Sequence, residues 1–119
     1  MHIEKKSNTN EPQRITRSKI VGLPEYTLAF DIIKRTIDGL TGYEWNEATF
    51  APGIPEYGDI VAAIIKGRYT DDEMTAIINN HLLDGDDETN LAEWNAMQEW
   101  RAEAKKQAKE ILEEINKME

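Results

Sequence analysis

Cysteine is absent from the 119 residues of this chain. Its absence excludes a disulfide framework, a thiolate nucleophile and a cysteine-based zinc site. Serine occurs only at Ser7 and Ser18, so we do not expect a serine nucleophile. The seven glycines are scattered singly, without the cluster of a phosphate-binding loop. We therefore expect a protein that is not an enzyme and that holds no cofactor.

Long hydrophobic runs are also missing. The longest apolar run, residues 60–65, is far too short to cross a bilayer, and the first residues lack the apolar core of a signal peptide. A composition of 39% hydrophobic and 31% charged residues is typical of one globular domain with a modest core. The expectation is a cytoplasmic protein without membrane contact.

The net charge of −9 is unevenly distributed along the chain. Residues 1–19 contain five basic and two acidic side chains, whereas residues 20–119 contain nine basic and twenty-one acidic ones. The first segment shows no hydrophobic period, which predicts a flexible basic N-terminal arm over 1–19 and a single acidic helical domain over 20–119. A short extended piece around Ile15 and Ile20-Val21 is the alternative for part of the arm.

Hydrophobic periodicity and capping signals predict four helices, near 24–38, 55–66, 71–83 and 90–118. Pro24 and Pro55 suit a first helical position, and Gly39 and Gly67 suit a helix C-terminus. The first helix rests on apolar residues at helical spacing: Tyr26, Ala29, Phe30, Ile33 and Ile37. The fold class that follows is all-α, a small four-helix bundle-like domain. Residues 40–54 contain three aromatics among turn formers, with a single helical turn or an extended piece at 43–45 as the alternatives.

The last predicted helix is long for a domain of this size. About 28 residues at ~1.5 Å each give a rod of roughly 42 Å. A compact domain of ~100 residues is about 33–35 Å across. We therefore predict that the C-terminal end of the helix overhangs the bundle, where it either frays or has its apolar residues covered by a partner. The candidate interaction residues are Trp100, Ala104, Ala108, Ile111, Leu112 and Ile115.

These observations favour a non-enzymatic protein–protein interaction or assembly module, an accessory protein that binds another protein or itself as a homodimer. The alternative is a nucleic-acid-related regulator, in which the basic arm binds DNA or the acidic body mimics it. Eight acidic and no basic residues lie between Asp71 and Glu93, which is compatible with mimicry. The third helix has no Lys or Arg to read a major groove, so nucleic acid is not the expected partner.

The acidic turn after the third helix resembles a cation-binding loop only in part. Asp84, Asp86 and Glu88 occupy positions 1, 3 and 5 of an EF-hand loop. Position 6 is Thr89 rather than glycine, and position 12 is Asn95 rather than glutamate. The three carboxylates are therefore weak metal candidates, and a solvated turn that supplies negative charge to the next helix is favoured. His81 has no second histidine at ligand spacing, so a half-buried structural role is expected.

Overall fold

The computed structural model describes residues 2–19 and 22–119, and these residues form an α+β fold. Four strands come first: β1 (His2–Asn8), β2 (Ile15–Lys19), β3 (Pro24–Ile37) and β4 (Leu40–Thr49). Three helices follow: α1 (Tyr57–Lys66), α2 (Asp71–Leu83) and α3 (Glu88–Met118). The strands form one antiparallel sheet in the order β1-β4-β3-β2. The predicted all-α, four-helix bundle-like fold is therefore wrong, because a four-stranded sheet occupies the first half of the chain.

Residues 24–37 form a strand although their apolar residues recur at helical spacing. Up to Phe30, alternate side chains face the core, and Tyr26, Leu28 and Phe30 are buried. A β-bulge between Phe30 and Ile33 then adds one residue, so the same face continues at Ile33 and Ile37. The added residue places 26, 30, 33 and 37 at intervals that imitate one face of a helix. A strand with a bulge thus accounts for the pattern that predicted the first helix.

Asp38 and Gly39 form the two-residue turn that joins β3 to β4. Their φ angles of 53° and 79° are those of a type I′ turn, which matches the twist of a β-hairpin. Gly39 therefore turns a hairpin instead of ending a helix, and Pro24 stands at the first position of a strand, where proline is tolerated. β4 takes up most of the segment 40–54 and confirms the extended alternative at 43–45.

The segment predicted as a flexible basic arm supplies both edge strands of the sheet. β1 pairs with β4 along its whole length, and β2 pairs with the first part of β3. Ile15 is the first residue of β2 and its side chain is buried, because it faces the core beside Leu28. Ile20 and Val21, the rest of the extended alternative, lie outside the described residues.

The three helices begin and end within two residues of their predicted limits. Thr70 caps α2 in a capping box with Glu73, as the spacing predicts. The N-terminus of α3 is capped by Asp87, whose carboxylate accepts a hydrogen bond of 3.0 Å from the Asn90 amide. Among the residues that the structure describes, no helix is long and apolar enough to span a membrane.

The C-terminal part of α3 lies on the sheet and completes the hydrophobic core with α1. Its side chains Ala104, Ala108, Ile111 and Ile115 are fully buried in the cluster that includes Leu28 and Ala48. The carboxylate of Glu119 accepts hydrogen bonds from Arg17 on β2 and from Tyr26 on β3. The predicted overhang at this end is therefore wrong, because the sheet covers the apolar residues of the helix. The all-α prediction contained no sheet.

The overhang lies at the other end of α3. Residues 88–96 precede the first buried residue of the helix, Met97, and they pack against α2, in which no residue is buried. We call residues 71–96 the helical hairpin. The molecule is accordingly elongated and flat, with principal extents of 53 × 41 × 21 Å.

Candidate functional site

A junction between the sheet and the helices is built around Asp31. This residue occupies the bulge of β3 with a φ of 56°, a left-handed conformation that is uncommon for residues other than glycine. Arg68, on the α1–α2 turn, donates hydrogen bonds of 2.9 and 2.8 Å to its two carboxylate oxygens. The guanidinium of Arg68 also lies 3.5 Å from the ring centre of Trp100 on α3. The junction therefore ties together β3, the α1–α2 turn and α3.

The turn that carries Arg68 sits directly on the sheet because Gly67 lacks a side chain. A Cβ atom at Gly67 would lie 2.7 Å from the Phe30 ring and 2.9 Å from the Asn46 amide nitrogen. Asn46 is buried and donates a hydrogen bond of 3.3 Å to the Gly67 carbonyl. Close approach at one glycine thus fixes the position of the arginine beside it.

The charges of the junction reinforce each other. The hydrogen bonds from Arg68 lower the pKa of the Asp31 carboxyl below its ordinary value, and its partial burial only partly opposes that effect. The same hydrogen bonds raise the pKa of the Arg68 guanidinium. Both groups remain ionised at neutral pH, so the pair stabilises the fold and is not poised for proton transfer.

An open cleft of about 650 Å³ lies beside the junction. Charged residues of both signs line it: Lys5, Lys6 and Arg68 are positive, and Asp31 and Glu44 are negative. Its other lining residues are polar or aromatic apart from one isoleucine and one glycine: Ser7, Ile33, Trp45, Asn46, Gly67 and Tyr69. Charges of both signs and an open shape suit a polypeptide surface better than a small anion.

Beyond the cleft, β3 and β4 continue as a hairpin ribbon, residues 33–44, which the helices do not cover and which β1 joins only at Tyr43 and Glu44. Three aliphatic side chains of the ribbon are exposed: Ile33 by 46%, Ile37 by 67% and Leu40 by 77%. The strand register places all three on the sheet face that α1 and α3 cover further back. A second depression, of about 460 Å³, lies along the ribbon and shares Ser7 and Glu44 with the cleft.

The ribbon is an ordered element. Arg35 forms an ion pair of 2.9 Å with Glu44 across the two strands. The hydroxyls of Thr36 and Thr41 lie 3.3 Å apart in directly opposed positions. Together with the type I′ turn, these pairs hold the apolar side chains in a defined arrangement.

The predicted interaction residues do not form an exposed surface. Ala104, Ala108, Ile111 and Ile115 are fully buried, and Leu112 is partly buried against the same core. Trp100 is 8% exposed and donates a hydrogen bond of 3.1 Å to the Ile64 carbonyl. The structure brings the six residues together, but as the inner face of α3.

The acidic turn is occupied by helix-capping interactions. Asp84 ends α2, and its backbone carbonyl accepts a hydrogen bond of 3.1 Å from the Asn90 side chain. Asp86 and Glu88 are exposed. Within the described ranges, no three histidine, aspartate or glutamate side chains converge as metal ligands would. His81, whose structural role was predicted, stacks on Trp94 with ring centres 4.1 Å apart.

All of the net charge of the chain resides in one region. Residues 71–100 contain nine acidic and no basic side chains, whereas the other 89 residues contain fourteen of each. This region comprises the helical hairpin and the next turn of α3. The basic residues of the N-terminal segment are largely neutralised: Lys6 pairs with Glu4, Arg14 with Glu110 and Glu114, and Arg17 with Glu119.

Sequence reasoning missed the residues that shape this site: Asp31, Ile33, Ile37, Leu40 and Arg68. One available signal was the dipeptide Asp38-Gly39, which between two apolar segments is a strong indication of a type I′ hairpin. Comparison of the chain with models of protein families, with curated proteins and with solved structures gives no significant match.

Proposed function

We propose that this protein is a non-enzymatic protein-binding module and that the uncovered face of the ribbon is its docking surface. One observation carries the proposal. Helices α1 and α3 bury one face of the sheet at Leu28 and Ala48. The same face continues to Ile33, Ile37 and Leu40, where no helix covers it. A sheet normally buries its apolar face against another layer, and here the second layer ends at Arg68.

The apolar content of the ribbon is sufficient to anchor a partner. Burial of an aliphatic side chain contributes ~1.5–3 kcal/mol when it starts fully exposed. Three half- to mostly exposed side chains therefore offer on the order of 3–5 kcal/mol before the cost of association. The polar cleft beside them supplies hydrogen-bonding groups at the rim, as protein interfaces commonly do.

The rigidity of the ribbon supports the same function. A partner that docks on an ordered surface does not have to immobilise it, which reduces the entropic cost of binding. The charged groups around the cleft also pair with each other, Arg68 with Asp31 and Arg35 with Glu44. Such paired groups suit recognition and positioning rather than acid–base catalysis.

The experiment is affinity capture from the source cells with two matched double variants. Ile37→Ser with Leu40→Ser removes the apolar face of the ribbon, and Leu82→Ser with Leu83→Ser removes two exposed leucines at the far end of the helical hairpin. We expect a partner that is retained by the wild type and the second variant and lost with the first. Equal retention by both variants would show that the ribbon is not the docking surface.

The charge distribution favours a second candidate function, the binding of a basic partner that otherwise holds a nucleic acid. The nine carboxylates on residues 71–100 form an uncompensated acidic region, as a DNA-mimicking surface requires. Changing Asp84, Asp86 and Asp87 to Asn removes three charges while Asn at 87 can still cap α3. A captured protein that duplex DNA releases, and that the triple variant no longer binds, would support mimicry. Retention by the triple variant would speak against it.

A further inference from the structure

The ribbon has a free backbone edge on its β3 side. β2 pairs with Pro24–Leu28, and the last contact on that side is a hydrogen bond of 2.9 Å from the Ala29 amide to the Arg14 carbonyl. In the described residues no strand pairs with this edge of β3 after the bulge, and residues 33–37 are all exposed. A free edge of this kind can accept an additional strand.

The register identifies the backbone groups on that edge. In a two-residue hairpin, Ile37 and Leu40 point their amides and carbonyls toward each other. Antiparallel pairing alternates along the strand, so Arg35 and Ile33 also point theirs toward β4. Lys34 and Thr36 therefore point their backbone groups outward. Before the bulge, the residues whose backbone groups point away from β4 are odd-numbered, because the Ala29 amide bonds to Arg14 on the β2 side. The residue added at the bulge makes them even-numbered from Lys34 onward.

Two of the registers in which two copies of the chain could pair along this edge are disfavoured by charge, and a third, centred on Thr36, would pair only residues 35–37 because the turn begins at Asp38. A two-fold arrangement centred on Lys34 places two lysines directly opposite each other, and one centred on Arg35 does the same with two arginines. Like charges in directly opposed positions destabilise strand pairs. A fourth arrangement, centred on Ile33, would place Ile37 of the second copy opposite Ala29, which already pairs with Arg14.

The side chains along the edge specify a different occupant. On the face turned toward the helices the edge presents Ile33, Arg35 and Ile37, with the arginine paired to Glu44, and on the other face it presents Lys34 and Thr36. Lys34 forms no ion pair within the described part of the chain. An added strand would therefore bury aliphatic side chains on the first face and gain from an acidic side chain opposite Lys34 on the second.

We infer that the partner docks by adding a strand to β3, as an extended segment that alternates aliphatic and polar residues and places an acidic residue opposite Lys34. This inference rests on the proposed function and specifies how the ribbon binds. Main-chain hydrogen bonds to Lys34 and Thr36 supply affinity that does not depend on the partner's sequence, and the alternating side chains supply specificity.

The probe is a synthetic peptide, acetyl-Ser-Val-Thr-Val-Glu-Val-Ser-amide, which in antiparallel register places its Glu opposite Lys34, its Thr opposite Thr36 and valines opposite Ile33 and Ile37. It is titrated into the isotope-labelled full chain and followed by NMR. We expect the amide protons of Lys34 and Thr36 to shift and to gain protection from hydrogen exchange. A peptide with Lys in place of Glu should bind more weakly by ~2–5-fold. A peptide N-methylated at the amides that face β3 should not bind.

Two proline variants form a matched pair for this titration. Thr36→Pro removes an outward amide without a partner on β4, a position where an edge strand tolerates proline. Thr41→Pro makes the same change on the opposite edge of the ribbon, where the amide faces the β1 side. We expect Thr36→Pro to weaken binding by about tenfold or more and Thr41→Pro to change it by less than about twofold. Lys34→Glu should reverse the preference between the Glu and Lys peptides.

The outcomes separate this inference from the proposed function. Equal binding by Thr36→Pro and wild type, or binding of the N-methylated peptide, would overturn strand addition. If the double variant Ile37→Ser with Leu40→Ser then abolishes partner capture, the proposed docking on the ribbon face is supported and strand addition is not. A dimer in light scattering that Thr36→Pro abolishes would instead identify a second copy as the occupant and would overturn the acidic-strand inference.

Discussion

Arg68 on the α1–α2 turn donates two hydrogen bonds to Asp31, which holds the left-handed position of the β3 bulge. A left-handed non-glycine residue costs about 1–3 kcal/mol and persists where its surroundings hold it. Here Arg68, which is itself stacked on Trp100, stabilises the left-handed conformation of Asp31 through these hydrogen bonds. The bulge determines which side chains of the ribbon lie on the helix-facing side of the sheet, so the junction links helix packing to the proposed docking surface.

Substitution of Arg68 should destabilise the fold more than its exposure suggests. Arg68→Ala removes a bidentate ion pair and a cation–π contact, and we expect a loss of about 1–2 kcal/mol in the free energy of unfolding. Arg68→Lys should recover only part of this, because lysine lacks the planar fork. Urea unfolding followed by tryptophan fluorescence measures the change. The control is Arg35→Ala, which breaks an exposed pair with Glu44 and should cost less than about 0.5 kcal/mol. Equal losses from the two alanine variants would contradict this account of the junction.

The Asp31 carboxyl should contribute to stability in a pH-dependent manner. Hydrogen bonding to Arg68 lowers its pKa in the folded protein, so the ionised carboxylate is more stable in the folded state than in the unfolded chain. This contribution is complete above the ordinary carboxyl pKa and is lost as the pH falls through the lower, folded value. Asp31→Asn keeps a residue that tolerates the left-handed conformation and removes the charge. We therefore expect the variant to be less stable than wild type at pH 7 and the difference to shrink below about pH 4. Unfolding free energies at pH 7 and pH 3 test this, and a constant difference would contradict it.

The three helices could be predicted from the sequence because their signals are local. Thr70 with Glu73, and the Ala-, Glu- and Lys-rich run of α3, specify a helix whatever surrounds them. β3 could not be predicted by periodicity, since the bulge at Asp31 shifts Ile33 and Ile37 by one residue and produces a helical spacing. The extra residue of the bulge thus led to the prediction of a helix in place of β3 and to the wrong fold class.

The proposed docking surface depends on contacts that no local sequence pattern contains. The cleft needs Gly67 against Phe30 and Asn46, which are 37 and 21 residues away in the chain. The free edge at Lys34 and Thr36 exists because β2 pairs only with the start of β3. Such features follow from strand order, which the sequence alone leaves open. Asp38-Gly39 is the local signal that points toward them.

The hairpin turn offers a test of that signal. Gly39 has a φ of 79°, and a Cβ atom there would meet nothing within 4 Å. The cost of Gly39→Ala is therefore conformational, about 1–2 kcal/mol, and it should increase hydrogen exchange along the ribbon. Gly58→Ala is the matched control, because Gly58 lies in α1 with open space around it and the same change should stabilise by about 0.5–1 kcal/mol. Unfolding experiments should show opposite signs for the two variants, and a neutral Gly39→Ala would argue against the type I′ turn.

Mutations can show whether the apolar residues in the C-terminal part of α3 belong to the hydrophobic core or to a docking surface. Ile115 is fully buried between α3 and the sheet, so Ile115→Ala should cost about 2–5 kcal/mol in unfolding free energy. Ile37→Ala makes the same change on the exposed ribbon and should cost less than about 1 kcal/mol. Partner capture should respond in the opposite order, because the proposed docking surface contains Ile37 and not Ile115. Deletion of residues 104–119 should abolish folding, since it removes four fully buried side chains. A stable Ile115→Ala variant that fails to capture a partner would restore the C-terminal helix as the binding surface.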